Sequence, residues 1–169
     1  MSKKWKGIIV LCILLFLLIV MFLFSSQNGI NTTSLSIKVT RVIARFTFVN
    51  YENMTLSQQA FIVEELNYFI RKVAHFIIYM LIGMCSFYAM LILVEKIRKK
   101  ATVSVFFCFI YALSDEVHQF FVPGRDFKVT DILIDMFGVI IGILLLKIIL
   151  IVIEYIKNNL KEQTVLKGR

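Results

Sequence analysis

The first apolar run of the chain limits the possible folds more than any other feature. Residues 7–24 contain no charged side chain, and three lysines precede them. This length approaches the roughly 20 residues that an α-helix needs to cross a bilayer. A cleaved signal peptide also has a basic start, but its apolar region is usually shorter and ends in small residues, whereas Phe24-Ser-Ser-Gln27 follows here. We expect an uncleaved membrane-spanning helix, with a signal peptide as the alternative.

Three further apolar runs of similar kind follow, at residues 73–94, 101–121 and 131–153. Hydrophobic residues make up 59% of the chain and it has a single proline, which is more apolar than an ordinary soluble domain. The sequence therefore predicts an all-α, polytopic membrane bundle of four transmembrane helices. We expect a single domain over residues 1–169, with an outer loop at 25–69 and a polar tail at 157–169 that frays.

Lysine and arginine are distributed unequally between the two predicted sides of the membrane. They are in clear excess before the first span, in the short loop 95–100 and in the tail, whereas the other connections carry nearly balanced charge. The positive-inside rule then predicts a multi-pass membrane protein with both termini cytoplasmic. The basic net charge of +8 is explained by this topology. We expect the lipid bilayer as a partner and no nucleic acid, since no basic stripe with interleaved aromatics occurs.

The long outer segment between the first two spans carries its own helical signals. Val39, Val42, Ile43 and Phe46 share one helical face with cations opposite, the pattern of a helix lying in the membrane interface. Further on, Thr55 or Ser57 is expected to cap a helix that leads into the second span, and Thr55-x-x-Gln58 matches a capping box.

The second span carries a polar stripe near its outer end. Arg71, His75 and Tyr79 are spaced four residues apart and therefore lie on one helical face, with Lys72 beside them. Gly83 follows on the same stripe, where a bare backbone lets another helix approach closely.

The third span turns polar in its outer part. Tyr111, Asp115 and His118 share a face that Ser114 and Gln119 border. Glu116 is rotated from that face by about 100° and is expected at the rim. The turn Pro123-Gly-Arg125 then brings Arg125 to the outer surface.

The fourth span begins with a third stripe. Asp131, Asp135, Gly138 and Gly142 share one face, and the pair of glycines four residues apart predicts close packing against a neighbouring helix. Burying ionisable groups among membrane helices costs at least a few kcal/mol for each residue. The three stripes are therefore expected to meet in one network at the outer end of the bundle.

Two interpretations of this network remain open. It forms either a polar clamp that only fixes the packing of the helices, or a site. For a site, the residues that transfer protons or orient a ligand are expected to be His75, His118, Asp115 and Asp131. The ligand-binding set is expected to be Arg71, Lys72, Tyr79, Glu116, Gln119, Arg125 and Asp135. Two histidines with carboxylates also offer the ligands of a divalent metal, which is a minor alternative. Their spacings match no standard metal signature, so no metal site is predicted, and the pattern names no cofactor.

Three segments together resemble the VanZ-like family of bacterial membrane proteins. They are Arg71-Lys-Val-Ala-His-Phe-Ile-Ile-Tyr-Met-Leu-Ile-Gly83, Ser114-Asp-Glu-Val-His-Gln-Phe-Phe-Val-Pro-Gly-Arg-Asp126 and Asp131-x-x-x-Asp135-x-x-Gly138. Phe24-Ser-Ser-Gln27 after the first span also fits, and the resemblance extends from the first span through the fourth. It implies a four-helix protein of the bacterial envelope and an association with resistance to teicoplanin, a glycopeptide that carries a lipid chain and binds peptidoglycan precursors.

The residues and the resemblance together lead to three functional hypotheses. The first is binding of an anionic lipid or a cell-wall precursor headgroup at the extracytoplasmic polar site. The second is a membrane-embedded hydrolase or phosphatase that acts on a lipid phosphate. The third is a structural partner of another envelope enzyme.

Overall fold

A computed structural model describes residues 2–26, 34–95 and 99–167, and in these ranges the chain forms five α-helices and one short 3₁₀ helix. The helices are α1 (Lys3–Ser25), α2 (Ser34–Thr47), α3 (Leu56–Leu93), α4 (Lys100–Phe120) and α5 (Val129–Lys167), and the 3₁₀ helix is Tyr51–Asn53. Most of the loop predicted between the second and third spans, residues 96–98, lies outside the described residues.

Four of the helices, α1, α3, α4 and α5, are long and apolar enough to cross a membrane. Their outer faces expose large apolar side chains such as Phe16, Phe106, Leu133 and Ile151, while a small core packs between them. This arrangement suits helices whose outward faces contact lipid. The predicted all-α membrane bundle is confirmed.

Helices α3 and α5 form the closest contact in the bundle because glycines remove the side chains between them. A Cβ atom added at Gly138 would lie 2.5 Å from the carbonyl oxygen of Phe76, and one at Gly83 would lie 2.6 Å from the carbonyl oxygen of Val139. A Cβ atom added at Gly142 would collide with the carbonyl oxygen of Met80. The close packing predicted for all three glycines is confirmed.

The direction of each helix follows from the residues it contacts. Met80 and Gly142 meet deeper in the bundle than Phe76 and Gly138, so α3 and α5 run parallel. Helices α1 and α4 run the opposite way, and Tyr111 donates a hydrogen bond to the Leu18 carbonyl oxygen between them. The end of α1, the end of α4 and the starts of the membrane portions of α3 and α5 are thus gathered at one end of the bundle, called here the polar end.

Helix α3 begins well before the predicted second span. Thr55 accepts a hydrogen bond from the Gln58 backbone, and the Gln58 side chain accepts one from the Thr55 backbone N–H. The predicted capping box is therefore confirmed. The helix it starts continues without a break through 38 residues, so the outer helix and the second span are one element.

Helix α5 extends far beyond the predicted fourth span. It continues to Lys167, so the tail that the sequence predicted to fray after Lys157 is helical in the structure. The polar residues of this segment are mainly Lys, Glu, Gln and Asn, and neither proline nor glycine interrupts it before Gly168. A polar composition without helix breakers is compatible with a solvated helix.

Helix α2 packs on α3 through its smallest side chains. Thr40 and Ala44 are buried, whereas the apolar residues Val39, Val42 and Phe46 remain exposed. The predicted apolar face is thus turned away from the protein. An uncovered apolar face of this kind agrees with a helix lying in the membrane interface.

Candidate functional site

The stripes of α3 and α5 face each other as two successive rungs at the polar end. In the outer rung, Lys72 forms an ion pair with Asp131, and both side chains are largely buried. One turn deeper, His75 Nδ1 lies 3.8 Å from Asp135 Oδ1. The predicted meeting of these two stripes is therefore observed.

The buried carboxylate of Asp115 brings α4 and α1 into the same network. Its Oδ2 atom accepts hydrogen bonds from Ser25 Oγ at 2.7 Å and from Gln119 Nε2 at 3.0 Å. Ser25 is fully buried and belongs to α1. The sequence had assigned the network to three helices only. The available signal was the pair of serines directly after the first apolar run, which had contributed only to the argument against a signal peptide and to the family resemblance.

Arg125 closes the network from the turn after α4. Its Nη1 donates to Gln119 Oε1 at 3.0 Å and its Nη2 donates to the Phe24 carbonyl oxygen at 3.3 Å. Both acceptors are neutral, so they orient the guanidinium group without cancelling its charge. Burial, and then the positive charge of Arg71, lower the pKa of Arg125 from its ordinary value, which indicates that the two cations are close enough to repel each other.

Glu116 does not lie at the rim, and that prediction is wrong. The residue is 2% exposed, and its carboxylate accepts the Lys128 backbone N–H at 2.6 Å. The rotation of about 100° from Asp115 turns Glu116 toward the segment that leads into α5 and away from solvent. Its role in the structure is to hold the start of α5 against the end of α4.

His118 shares a face with Asp115 and Tyr111, as predicted, and this face packs on α1. The imidazole stacks on the Phe22 ring with the centroids 4.7 Å apart, and its Nε2 is 3.0 Å from Ser26 Oγ. The His118 side chain is therefore held by contacts with α1. It is not grouped with His75, Asp115 and Asp135, whose ligand atoms lie close together.

Arg71 lies one turn before His75 on α3, on its outer side, and Tyr79 lies one turn after it, on its inner side. The Arg71 guanidinium lies over the ring of Tyr68 at 5.6 Å, and among the described residues no carboxylate forms an ion pair with it. Tyr79 is fully buried, with its ring 6.1 Å from that of Tyr111. Its hydroxyl has no hydrogen-bond partner in the described part of the chain.

A compact buried cluster forms where α3, α4 and α5 meet. His75, Asp115 and Asp135 each place one nitrogen or oxygen atom so that all three atoms lie within 4.8 Å of one another. The sequence predicted no metal site because these residues belong to no local motif. The folding of three helices nevertheless collects one imidazole and two carboxylates, which are common metal ligands.

Two cavities lie at the polar end. A cleft too narrow to admit a water molecule is lined by Arg71, Lys72, His75, Gln119 and Asp135, among others. A wider groove of about 860 Å³ lies between α2, the outer half of α3 and the turn before α5. Arg71 lines both the cleft and the groove.

The groove carries charges of both signs. Its cations are Arg41, Arg71 and Lys128, and its acids are Glu64 and Glu65. Its volume falls in the range of about 300–1,000 Å³ that is usual for small-molecule sites.

Comparison with known proteins assigns most of the chain to one family. A protein-family model described as VanZ/LLP1 matches residues 10–151. No curated protein and no solved structure matches the chain significantly.

Proposed function

The chain belongs to the VanZ/LLP1 family, and from this premise we propose that it binds the anionic headgroup of a lipid or of a cell-wall precursor at its polar end. The protein is an integral membrane protein of the bacterial envelope in this proposal. The positive-inside distribution of lysine and arginine supports cytoplasmic termini and an extracytoplasmic polar end.

One observation carries the proposal: Arg71, which lines both the cleft and the groove, and Arg125, which lies in the turn after α4, form no ion pair with a carboxylate in the described residues. Arg125 is held by a side-chain amide and a backbone carbonyl, and Arg71 lies over an aromatic ring. Lys72, in contrast, is already paired with Asp131. Two guanidinium groups that lack a counterion suit a phosphate or carboxylate ligand, which accepts charge-assisted hydrogen bonds.

The surroundings fit a headgroup better than a free ion. The groove beside Arg71 is large enough for a headgroup, and α2 borders it with an uncovered apolar face in position to contact the membrane. A ligand whose chains remain in the bilayer would reach Arg71 without leaving the interface.

Binding by purified protein in nanodiscs tests the proposal. Labelled polyprenyl phosphate and phosphatidylglycerol serve as anionic probes, and phosphatidylcholine serves as the reference lipid. We expect Arg71→Gln and Arg125→Gln each to weaken binding by roughly 10- to 150-fold, since a hydrogen bond to a charged group contributes about 1.5–3 kcal/mol. Arg45→Gln is the matched control, because Arg45 is exposed and pairs with Glu52 at 2.7 Å.

The same samples separate the three functional hypotheses. Binding without product release supports the headgroup-binding protein. Release of inorganic phosphate from the labelled lipid would instead establish a lipid phosphatase. Equal binding by wild type and both arginine variants would contradict the proposal, and a loss of cellular abundance in the variants without any change in binding would favour a structural partner.

We further propose that headgroup binding is the basis of a link to teicoplanin resistance. Teicoplanin carries a lipid chain and acts on peptidoglycan precursors, so a protein that holds such headgroups at the outer surface would compete at the same place. Expression in a susceptible Gram-positive host should raise the inhibitory concentration of teicoplanin, and Arg71→Gln should remove that increase. An unchanged inhibitory concentration with wild-type protein present in the membrane would refute the link.

A further inference from the structure

The cluster of His75, Asp115 and Asp135 has the features of a metal site. These residues are 6%, 4% and 2% exposed, and His75 Nε2, Asp115 Oδ1 and Asp135 Oδ1 are buried without a hydrogen-bond partner among the described residues. Buried polar atoms are nearly always satisfied in native proteins. Three unsatisfied groups in one small volume therefore indicate that something else binds there. We propose that this cluster binds one divalent transition-metal ion.

The distances in the cluster fit ligands that share a central ion. The second ring nitrogen of His75, Nδ1, is 3.8 Å from Asp135 Oδ1, which is too long for a direct hydrogen bond. The imidazole would bind the ion through one of its two ring nitrogens, Nδ1 or Nε2. Two ligands at about 2.0–2.2 Å from the same ion are separated by about 3–4 Å, depending on the angle between them. The 4.8 Å spread of the whole set needs only a small contraction, which side-chain rotation supplies.

Hydrogen bonds prepare Asp115 to bind the ion with one oxygen. Ser25 and Gln119 both donate to Oδ2, which fixes the plane of the carboxylate and leaves Oδ1 without a partner in the part of the chain described. Supporting hydrogen bonds of this kind are typical of metal-binding carboxylates. Arg125 in turn donates a hydrogen bond to the amide oxygen of Gln119. This bond directs the NH₂ group of Gln119 at Asp115.

Charge balance also favours a cation. Asp115 and Asp135 form no ion pair with a lysine or arginine in the described ranges, and Lys72 is engaged by Asp131. Two buried carboxylates beside an imidazole would repel each other strongly in the low dielectric of a membrane protein. A divalent ion bound between them removes this repulsion.

The ligand set narrows the class of metal. One imidazole nitrogen and two carboxylate oxygens suit Zn²⁺ or Mn²⁺ better than Mg²⁺ or Ca²⁺, which prefer oxygen ligands alone. Three protein ligands leave at least one coordination position free, and His75 and Asp135 also line the narrow cleft beside the cluster. The metal proposal stands independently of headgroup binding.

The test uses the full-length protein in detergent micelles after treatment with a chelator. Titration with Zn²⁺ against a fluorescent chelator should show one tight equivalent for each chain. Bound Mn²⁺ should show coupling to one imidazole nitrogen in pulsed electron paramagnetic resonance. Asp135→Asn and His75→Gln should each weaken Zn²⁺ binding by at least tenfold. In both variants, Zn²⁺ should raise the midpoint of thermal unfolding by less than it does in wild type.

Two control variants separate the cluster from surface binding. His118→Gln removes the only other histidine, and Asp126→Asn removes an exposed carboxylate near the same end. Both should retain one equivalent and the imidazole coupling. Absence of a tight equivalent in wild type overturns the proposal even if the cluster variants fail to fold. Loss of the imidazole signal in His118→Gln, with its retention in His75→Gln, would overturn it as well.

Discussion

Adding a single methyl group at Gly138 tests the close contact between α3 and α5. In Gly138→Ala the new Cβ would lie 2.5 Å from the Phe76 carbonyl oxygen, about 0.9 Å short of ordinary van der Waals contact at about 3.4 Å. Both backbones are held in long helices, so the helices must separate by nearly that distance. Because Phe76 adjoins His75, and Gly138 lies one turn from Asp135, the 3.8 Å gap between these two side chains should widen too.

Gly7→Ala provides a matched control for this change. Its Cβ would also come within 2.5 Å of another atom, but that atom is Cδ2 of Leu93, the end of a flexible side chain. Both substitutions gain the same helix propensity, about 0.8–1 kcal/mol, which cancels in the comparison. Overpacking a rigid contact typically costs 1–3 kcal/mol. We therefore expect Gly138→Ala to be less stable than Gly7→Ala by about 1–3 kcal/mol.

Unfolding by increasing SDS fraction in mixed micelles, followed by circular dichroism, measures this difference in the free energy of unfolding. The Zn²⁺ titration described above provides a second readout, because the separation of α3 and α5 should weaken metal binding in Gly138→Ala but not in Gly7→Ala. Equal stabilities of the two variants would refute the reasoning that backbone contact at Gly138 fixes the distance between the helices.

Three further predictions use the same unfolding assay. Lys72→Met should destabilise the protein by about 3–5 kcal/mol, because it leaves Asp131 buried without its counterion. The double variant Lys72→Met/Asp131→Leu should recover most of this loss. Absence of recovery would contradict an ion pair between the two residues. Ser25→Ala should cost about 1.5–3 kcal/mol by removing a hydrogen bond to the Asp115 carboxylate, and a neutral result would show that α1 is not part of the network. Thr55→Ala should cost about 1 kcal/mol and speed hydrogen exchange in the first turn of α3, whereas unchanged exchange would exclude the capping box.

The helices and their facing stripes could be predicted because both depend on local spacing. Arg71, His75 and Tyr79 lie on one face by helical geometry alone, and the burial cost of charges in a membrane required that face to meet others. The glycines of the fourth span added the prediction of a close contact. The sequence therefore indicated which faces meet, but not which atoms.

The parts that could not be predicted depend on the packing of distant segments. Ser25 carries no charge and therefore gave no burial signal, although it is a direct partner of Asp115. Glu116 was expected at the rim because only its angle to Asp115 was known, while the segment before α5 that covers it was not. The shared cluster of His75 with two carboxylates likewise exists only in three dimensions.

Cysteine crosslinking in native membranes tests most directly whether four helices meet at one polar end. In a background with the native cysteines replaced by alanine, three double variants should each form an intramolecular crosslink with a short bifunctional reagent: His75→Cys/Asp135→Cys, His75→Cys/Asp115→Cys and Ser25→Cys/Asp115→Cys. The second pair joins α3 to α4 and so connects the other two pairs. Val73→Cys/Asp135→Cys should not crosslink, because Val73 lies on the exposed side of α3. Failure of the His75→Cys/Asp115→Cys pair, or equally efficient crosslinking of the control pair, would contradict the shared polar site.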